Sequence, residues 1–150
     1  MEIQAKSGAT ATGFMIDAVE FLTAAELLLN HRTGISLPAY FLFGRAIELT
    51  LKAFLLHNGL SISRLASRRE FGHSLEKLWA EAVKYGLDQQ TQFGAPEEGV
   101  IELLSKEYFD MKLTYRVTGG TYCLPDIAGT EDVARRLVRA IELVVAPVKP

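Results

Sequence analysis

The segment from Pro38 to His57 constrains the fold most, because its apolar residues lie nearly all the way round a helix. Pro38 suits a first helical turn, where its missing N–H would have no helical partner, and Gly59 supplies a left-handed stop. A helix without a wide polar face must be covered by neighbours on most sides. We therefore expect this segment to be the central, most buried helix.

Four further segments repeat apolar residues at helical spacing. They run from Phe14 to Asn30, from the N-cap Ser74 to Gly86, from Pro96 to Met111, and from Thr130 to a stop at Pro147. No strong strand pair is visible, although residues 112–117 alternate weakly. The sequence thus predicts an all-α protein, an up-and-down bundle of four or five helices forming one domain over residues 1–150, with a loose segment at residues 1–13.

Composition excludes several classes of protein. The 16 basic and 18 acidic residues give a net charge of −2, which argues against a general polyanion binder but allows a local basic patch. One cysteine excludes a disulfide framework, and the three histidines match no standard zinc spacing, so we expect no metal and no cofactor. Carboxylates within the first apolar segment argue against a membrane span. We expect a soluble, cytoplasmic protein that does not bind a membrane.

A polar stripe interrupts the central segment. Arg45, Glu48 and Lys52 fall within about 60° of one another at 100° per residue. Two interpretations stay open: a solvated face with an i, i+4 ion pair, or a stripe that faces a cleft or a two-fold interface.

The central segment and its sequel resemble a known family. Residues 46–53 match the pattern A-I-E-x-x-L-K-A, and residues 72–78 match G-H-x-L-x-x-L. A Tyr115-Arg116 pair then precedes Pro125-Asp126 and the last helix. This arrangement resembles a branch of the HEPN superfamily over roughly residues 14–146. The resemblance implies an up-and-down bundle, a homodimer, and RNA or nucleotides as ligands.

Many HEPN members are metal-independent ribonucleases of toxin or defence systems. In those, an arginine and a histidine separated by four to six residues near a late helix act together, and the dimer brings two pairs into one cleft. Here the late position holds Arg116 and Tyr122, without a histidine. Tyrosine, with an ordinary pKa near 10, is a poor base at neutral pH. Arg116, Tyr122 and Tyr115 either bind a phosphate and stack a base, or tie a long loop to the bundle.

A second pair with the family spacing lies earlier in the chain. Arg68 and His73 have four residues between them, within a long loop before the third predicted helix. The pair is a candidate for catalysis, whereas the structural interpretation makes His73 a helix-start residue beside Ser74.

Three functions follow as hypotheses. The first is a HEPN-like binding or regulatory module for RNA, a nucleotide or a partner protein, without catalysis. The second is a metal-independent ribonuclease that uses Arg68 and His73. The third is a protein–protein interaction module that binds no nucleic acid.

Overall fold

Helices make up the described part of the chain, which covers residues 9–31, 34–109, 113 and 121–145 of a computed structural model. No strand occurs within these ranges, so the all-α class is confirmed. The helices of the described residues are α1 (Ala11–Asn30), α2 (Leu37–His57), α3 (Ile62–Ala66), α4 (Leu75–Val83), α5 (Leu87–Thr91), α6 (Ala95–Phe109) and α7 (Ile127–Glu142). Five of them have nine or more residues, and α3 and α5 are single short turns.

Helix α2 is the core of the bundle. It contacts α1, α4, α6 and α7, and 13 of its 21 residues are buried. Phe43, Ile47 and Phe54 are among the largest fully buried side chains. The prediction of a central buried helix is therefore confirmed, because an apolar surface this wide is removed from water only when neighbours cover it on several sides.

Two predicted helix starts are wrong by one turn or less. Helix α1 begins at Ala11, inside the segment expected to be loose, because the Thr10 hydroxyl accepts the Gly13 N–H at 3.0 Å. Helix α7 begins at Ile127 rather than at Thr130, since the Asp126 carboxylate accepts the Gly129 N–H at 2.8 Å and starts the helix earlier. Both caps satisfy amides that have no partner within the helix.

Other boundaries agree with the sequence, with small additions. Ser74 caps α4 through the Lys77 N–H, as predicted. The long loop before it contains α3, which the sequence analysis did not predict, capped by Ser61. Helix α5 follows Gly86, whose φ of 85° is favourable for glycine and ends α4 as expected. Met111 lies outside the described residues.

Side chains connect the helices at both ends of the bundle. The Tyr40 hydroxyl donates to the Pro125 carbonyl at 2.6 Å, which fixes the chain just before α7. Arg135 of α7 pairs with Glu26 of α1 at 2.7 Å. None of the helices in the described ranges is both long and apolar enough to cross a membrane.

Candidate functional site

The carboxylate of Glu48 is fully buried in the middle of α2 and is the centre of a polar cluster. Its Oε2 accepts hydrogen bonds from Arg45 Nη1 at 2.8 Å and from Lys52 Nζ at 3.0 Å. Residues three and four positions apart lie on one face of a helix, so α2 alone brings these three side chains together. The predicted i, i+4 pair of the polar stripe thus exists, but Glu48 itself is not on a solvated face.

Two residues from other elements complete the cluster. The Tyr108 hydroxyl, on α6, donates to Glu48 Oε1 at 2.7 Å. His73, directly before the Ser74 cap of α4, places its Nδ1 3.0 Å from the same oxygen. We call Arg45, Glu48, Lys52, His73 and Tyr108 the Glu48 cluster. It joins α2 to α6 and to the start of α4 through one carboxylate.

The surroundings of Glu48 decide its charge. Burial raises the pKa of its carboxyl, but Lys52, the Tyr108 hydroxyl, Arg45 and His73 together outweigh burial and hold the pKa below its ordinary value. Burial, and then the adjacent Glu48 charge, raises the pKa of Tyr108 well above its usual range. At neutral pH the cluster therefore contains an ionised carboxylate and a neutral phenol that donates to it.

The ionised carboxylate also fixes the tautomer of His73. A carboxylate without a proton only accepts hydrogen bonds, so Nδ1 of His73 must carry the proton of the shared bond. In the neutral imidazole, Nε2 then keeps its lone pair. The side chain of His73 is 60% exposed, which leaves this part of the residue accessible to a ligand.

The cluster presents positive charge at the surface and hides its negative charge. The side chains of Arg45 and Lys52 are 29% and 12% exposed, whereas that of Glu48 has no exposed surface. Two cations facing one carboxylate leave an excess of one positive charge. Arg45 is further held by Phe21 of α1, with its guanidinium carbon 5.6 Å from the ring centroid. The arrangement is suited to binding an anion.

Gly44 makes room for this arrangement. A Cβ atom at Gly44 would lie 2.5 Å from Cδ1 of Tyr108, a distance that carbon atoms do not tolerate. The missing side chain therefore lets the Tyr108 ring approach α2 and reach Glu48. The sequence analysis missed the roles of both residues, assigning Tyr108 only to an apolar helix face. A glycine within an otherwise strong helix, one turn before a buried acid, was the available signal.

The structure does not bring the predicted catalytic pair into one cluster. His73 binds Glu48, whereas the exposed side chain of Arg68 makes no hydrogen bond or ion pair with any described residue. In the same loop, Arg64 instead pairs with Glu70 at 2.9 Å. The spacing in sequence placed Arg68 near His73, but it carried no information about the partner that α2 provides.

The late candidate residues are only partly described. Tyr115 and Arg116 lie outside the described residues. Tyr122 is half-buried and packs against the core, as the loop-tying interpretation expects. Its neighbour Cys123 donates its backbone N–H to Glu107 Oε1 at 3.3 Å. Over the described ranges, no three His, Cys, Asp or Glu residues are grouped in a way that could hold a metal ion.

No family model, curated protein or solved structure matches this chain. The geometry of the Glu48 cluster, with its cations and its oriented imidazole, is therefore the basis for a functional proposal.

Proposed function

We propose that the chain is a HEPN-like binding module that holds a phosphate-bearing ligand, RNA or a nucleotide, at the Glu48 cluster. The observation that carries the proposal is the position of the fully buried Glu48, which holds Arg45, Lys52 and His73 at one partly exposed surface. A nucleotide and an RNA strand share the phosphate group that such a surface recognises.

Preorganisation supports this function. Arginine and lysine lose rotamer freedom when they bind a ligand, and that loss weakens binding. Here the bonds to Glu48 hold both side chains before any ligand arrives. The guanidinium also retains donors that are not used by Glu48 Oε2, and these can bind phosphate oxygens. The ligand therefore meets cations that are already ordered.

The local charge also supports a phosphate ligand. The chain has a net charge of −2, so its overall field does not attract polyanions. The cluster, with two cations for one buried carboxylate, is positive on its exposed side. Binding should then depend on these named residues rather than on the charge of the whole surface.

Binding of a fluorescent single-stranded RNA, measured by anisotropy at low ionic strength, tests the proposal. ATP and inorganic phosphate serve as unlabelled competitors that separate a nucleotide site from a bare phosphate site. We expect Arg45→Gln to weaken binding about tenfold or more, because a charge-assisted hydrogen bond contributes roughly 1.5–3 kcal/mol.

Arg139→Gln is the matched control, since Arg139 is exposed on α7 and does not belong to the cluster. Circular dichroism verifies that each variant is folded. If Arg139→Gln weakens binding as much as Arg45→Gln does, the cluster is not the site. If no salt-dependent binding of RNA or ATP is detected, the module is a protein–protein interaction module, and the proposal is wrong.

A second candidate, metal-independent RNA cleavage, is favoured by the hydrogen bond between Glu48 and His73. A carboxylate that holds Nδ1–H leaves Nε2 to accept a proton, the arrangement of a general base. Nε2 would take the proton of a ribose 2′-hydroxyl, whose oxygen attacks the adjacent phosphorus and expels the 5′-oxygen. In this candidate Arg45 takes the place at the phosphate that sequence spacing gave to Arg68.

Cleavage is tested with labelled RNA in the presence of EDTA. We expect a 2′,3′-cyclic phosphate product that disappears in His73→Ala, while Arg68→Ala retains activity. His73→Asn is informative as well, because its amide replaces Nδ1–H but has no base at the position of Nε2. RNA that is bound but never cleaved would leave the binding function in place and exclude this candidate.

The resemblance also implies a homodimer, which we include in the proposal. Two copies would place two Glu48 clusters in one assembly and give an RNA strand two points of contact. Light scattering coupled to size exclusion measures the mass of the particle, for which we expect twice the 16.6 kDa of one chain.

A further inference from the structure

Helix α1 has a second apolar face that the bundle does not cover. Its inner face, including Ala18 and Ala25, is fully buried. On the opposite side, Ile16 and Leu27 are 57% and 54% exposed. Large aliphatic side chains that are this exposed, and lie on one face of one helix, mark an interaction surface more often than isolated ones do.

A groove lies beside this face, where α1 passes the end of α7. Its volume is about 600 Å³, and its apolar lining includes Met15, Ile16 and Val19 of α1 and Leu143 just after α7. Leu143 is 86% exposed. A groove of this size accepts several large aliphatic side chains, as when an amphipathic helix docks with residues one turn apart.

The charges around the groove indicate what kind of partner fits it. Glu20 and Glu142 line it, and Asp17 lies on the same exposed side of α1. These three carboxylates make no ion pair with any described residue, and α1 contains no lysine or arginine. A second copy paired through α1 would bring carboxylates towards carboxylates, which disfavours self-association here. Lysine or arginine at the rim of a partner would be favoured.

We propose that this α1–α7 groove docks an amphipathic helix of a partner protein, with an aliphatic stripe against Ile16 and Leu143 and basic residues beside Glu20 and Glu142. The groove shares no residue with the Glu48 cluster, so the proposal does not depend on the ligand assigned there.

Two synthetic peptides test the proposal directly. Both are helical, with leucines at i, i+3, i+4 and i+7, and they differ only in having lysine or glutamate beside the leucines. We expect the unmodified chain to bind the labelled lysine peptide about tenfold more tightly than the glutamate peptide in an anisotropy assay, with a difference that shrinks at high salt. Ile16→Ser should weaken binding of the lysine peptide about tenfold, because it removes an aliphatic contact.

A double charge reversal, Glu20→Lys with Glu142→Lys, is the decisive variant. Both residues are exposed, so the fold should tolerate the change. We expect the preference to invert, with the glutamate peptide now bound more tightly. Glu102→Lys, at an exposed position on α6 that does not line the groove, should leave the original preference intact.

Several outcomes would overturn the proposal. Equal binding of the two peptides, or no binding of either, would show that the groove does not select a basic helix. A preference that Glu102→Lys shifts as much as the double reversal would show a nonspecific effect of net charge. A dimer that dissociates on Ile16→Ser would show that a second copy, not a partner helix, covers this face.

Discussion

The ring of Tyr108 lies over Gly44, so close that a methyl group on Gly44 would come within 2.5 Å of the ring carbon Cδ1. The hydroxyl of the same tyrosine donates to the buried carboxylate of Glu48, one turn further along α2, at 2.7 Å. One glycine therefore determines whether α6 can contribute its hydrogen bond to the cluster.

Gly44→Ala should destabilise the protein, although alanine is the better helix former. The added methyl group must displace the Tyr108 ring, and overpacking of a core costs about 1–3 kcal/mol. Urea unfolding, followed by the fluorescence of the buried and single Trp79, measures the change. Gly99→Ala on α6 is the control, because a Cβ there meets nothing within 4 Å. It should stabilise the protein by about 0.5–1 kcal/mol, and destabilisation of similar size in both variants would contradict the explanation.

Glu48→Ala should be among the most destabilising substitutions of a charged residue in this chain. Removing one partner from a buried ion pair costs roughly 3–5 kcal/mol, and the partial exposure of Arg45 and Lys52 favours the lower end. Urea unfolding gives the free energy. Glu102→Ala, at an exposed position, should change it by no more than about 0.5 kcal/mol. A loss below about 1 kcal/mol for Glu48→Ala would mean that the carboxylate does not hold the cluster together.

Tyr108→Phe isolates the hydroxyl from the ring. The ring still fills the space above Gly44 and still stacks on Phe41, at 5.9 Å between centroids, but the donor to Glu48 is lost. We expect a loss of about 1.5–3 kcal/mol, typical of a hydrogen bond to a charged group. A double-mutant cycle with Glu48→Gln measures the coupling. Additive effects of the two substitutions would show that the two side chains do not interact.

The lowered pKa of Glu48 predicts a pH dependence of stability. A carboxyl whose pKa is lower in the folded than in the unfolded state adds stability that is complete above the unfolded value, near 4.5. That stability is lost as the pH falls through the folded value. The protein should therefore lose part of its unfolding free energy below pH 4.5, and Glu48→Gln should lose less over the same range. Parallel curves for the two proteins would refute the assignment.

The salt dependence of RNA binding reports the number of cations in contact with phosphate. For single strands, each cation contributes about 0.7 to the slope of log K against log salt concentration. Arg45→Gln and Lys52→Gln should each reduce the slope by about that amount, whereas Arg139→Gln should leave it unchanged. A common slope for all of these proteins would place the phosphate contacts elsewhere on the surface.

The sequence predicted the α-helical class and the central helix because both depend on local periodicity. The apolar pattern of Pro38–His57 contains its own evidence for burial, and 13 of the 21 residues of α2 are indeed buried. The caps of α1 and α7 were missed for a different reason. Thr10, Asp126 and Thr130 are all residue types that start helices, and only the folded backbone shows which of them does so.

The site was predicted in separate parts that the sequence could not join. Arg45, Glu48 and Lys52 were grouped because helical spacing is local, and His73 was singled out because of its spacing from Arg68. The hydrogen bonds of His73 and Tyr108 to Glu48 connect residues 25 and 60 positions apart. No pattern within a single sequence encodes such a distance, since it results from how α4 and α6 pack on α2.

The shared carboxylate couples the ligand surface to the core of the protein. A ligand that engages Arg45 or His73 acts on a group that also anchors Tyr108, and with it the position of α6. Occupancy at the surface must then raise the melting temperature in proportion to affinity, and every change to the packing over Gly44 must alter that affinity in return. A thermal-shift screen of small anions would therefore detect the ligand of this protein before anyone knows its identity.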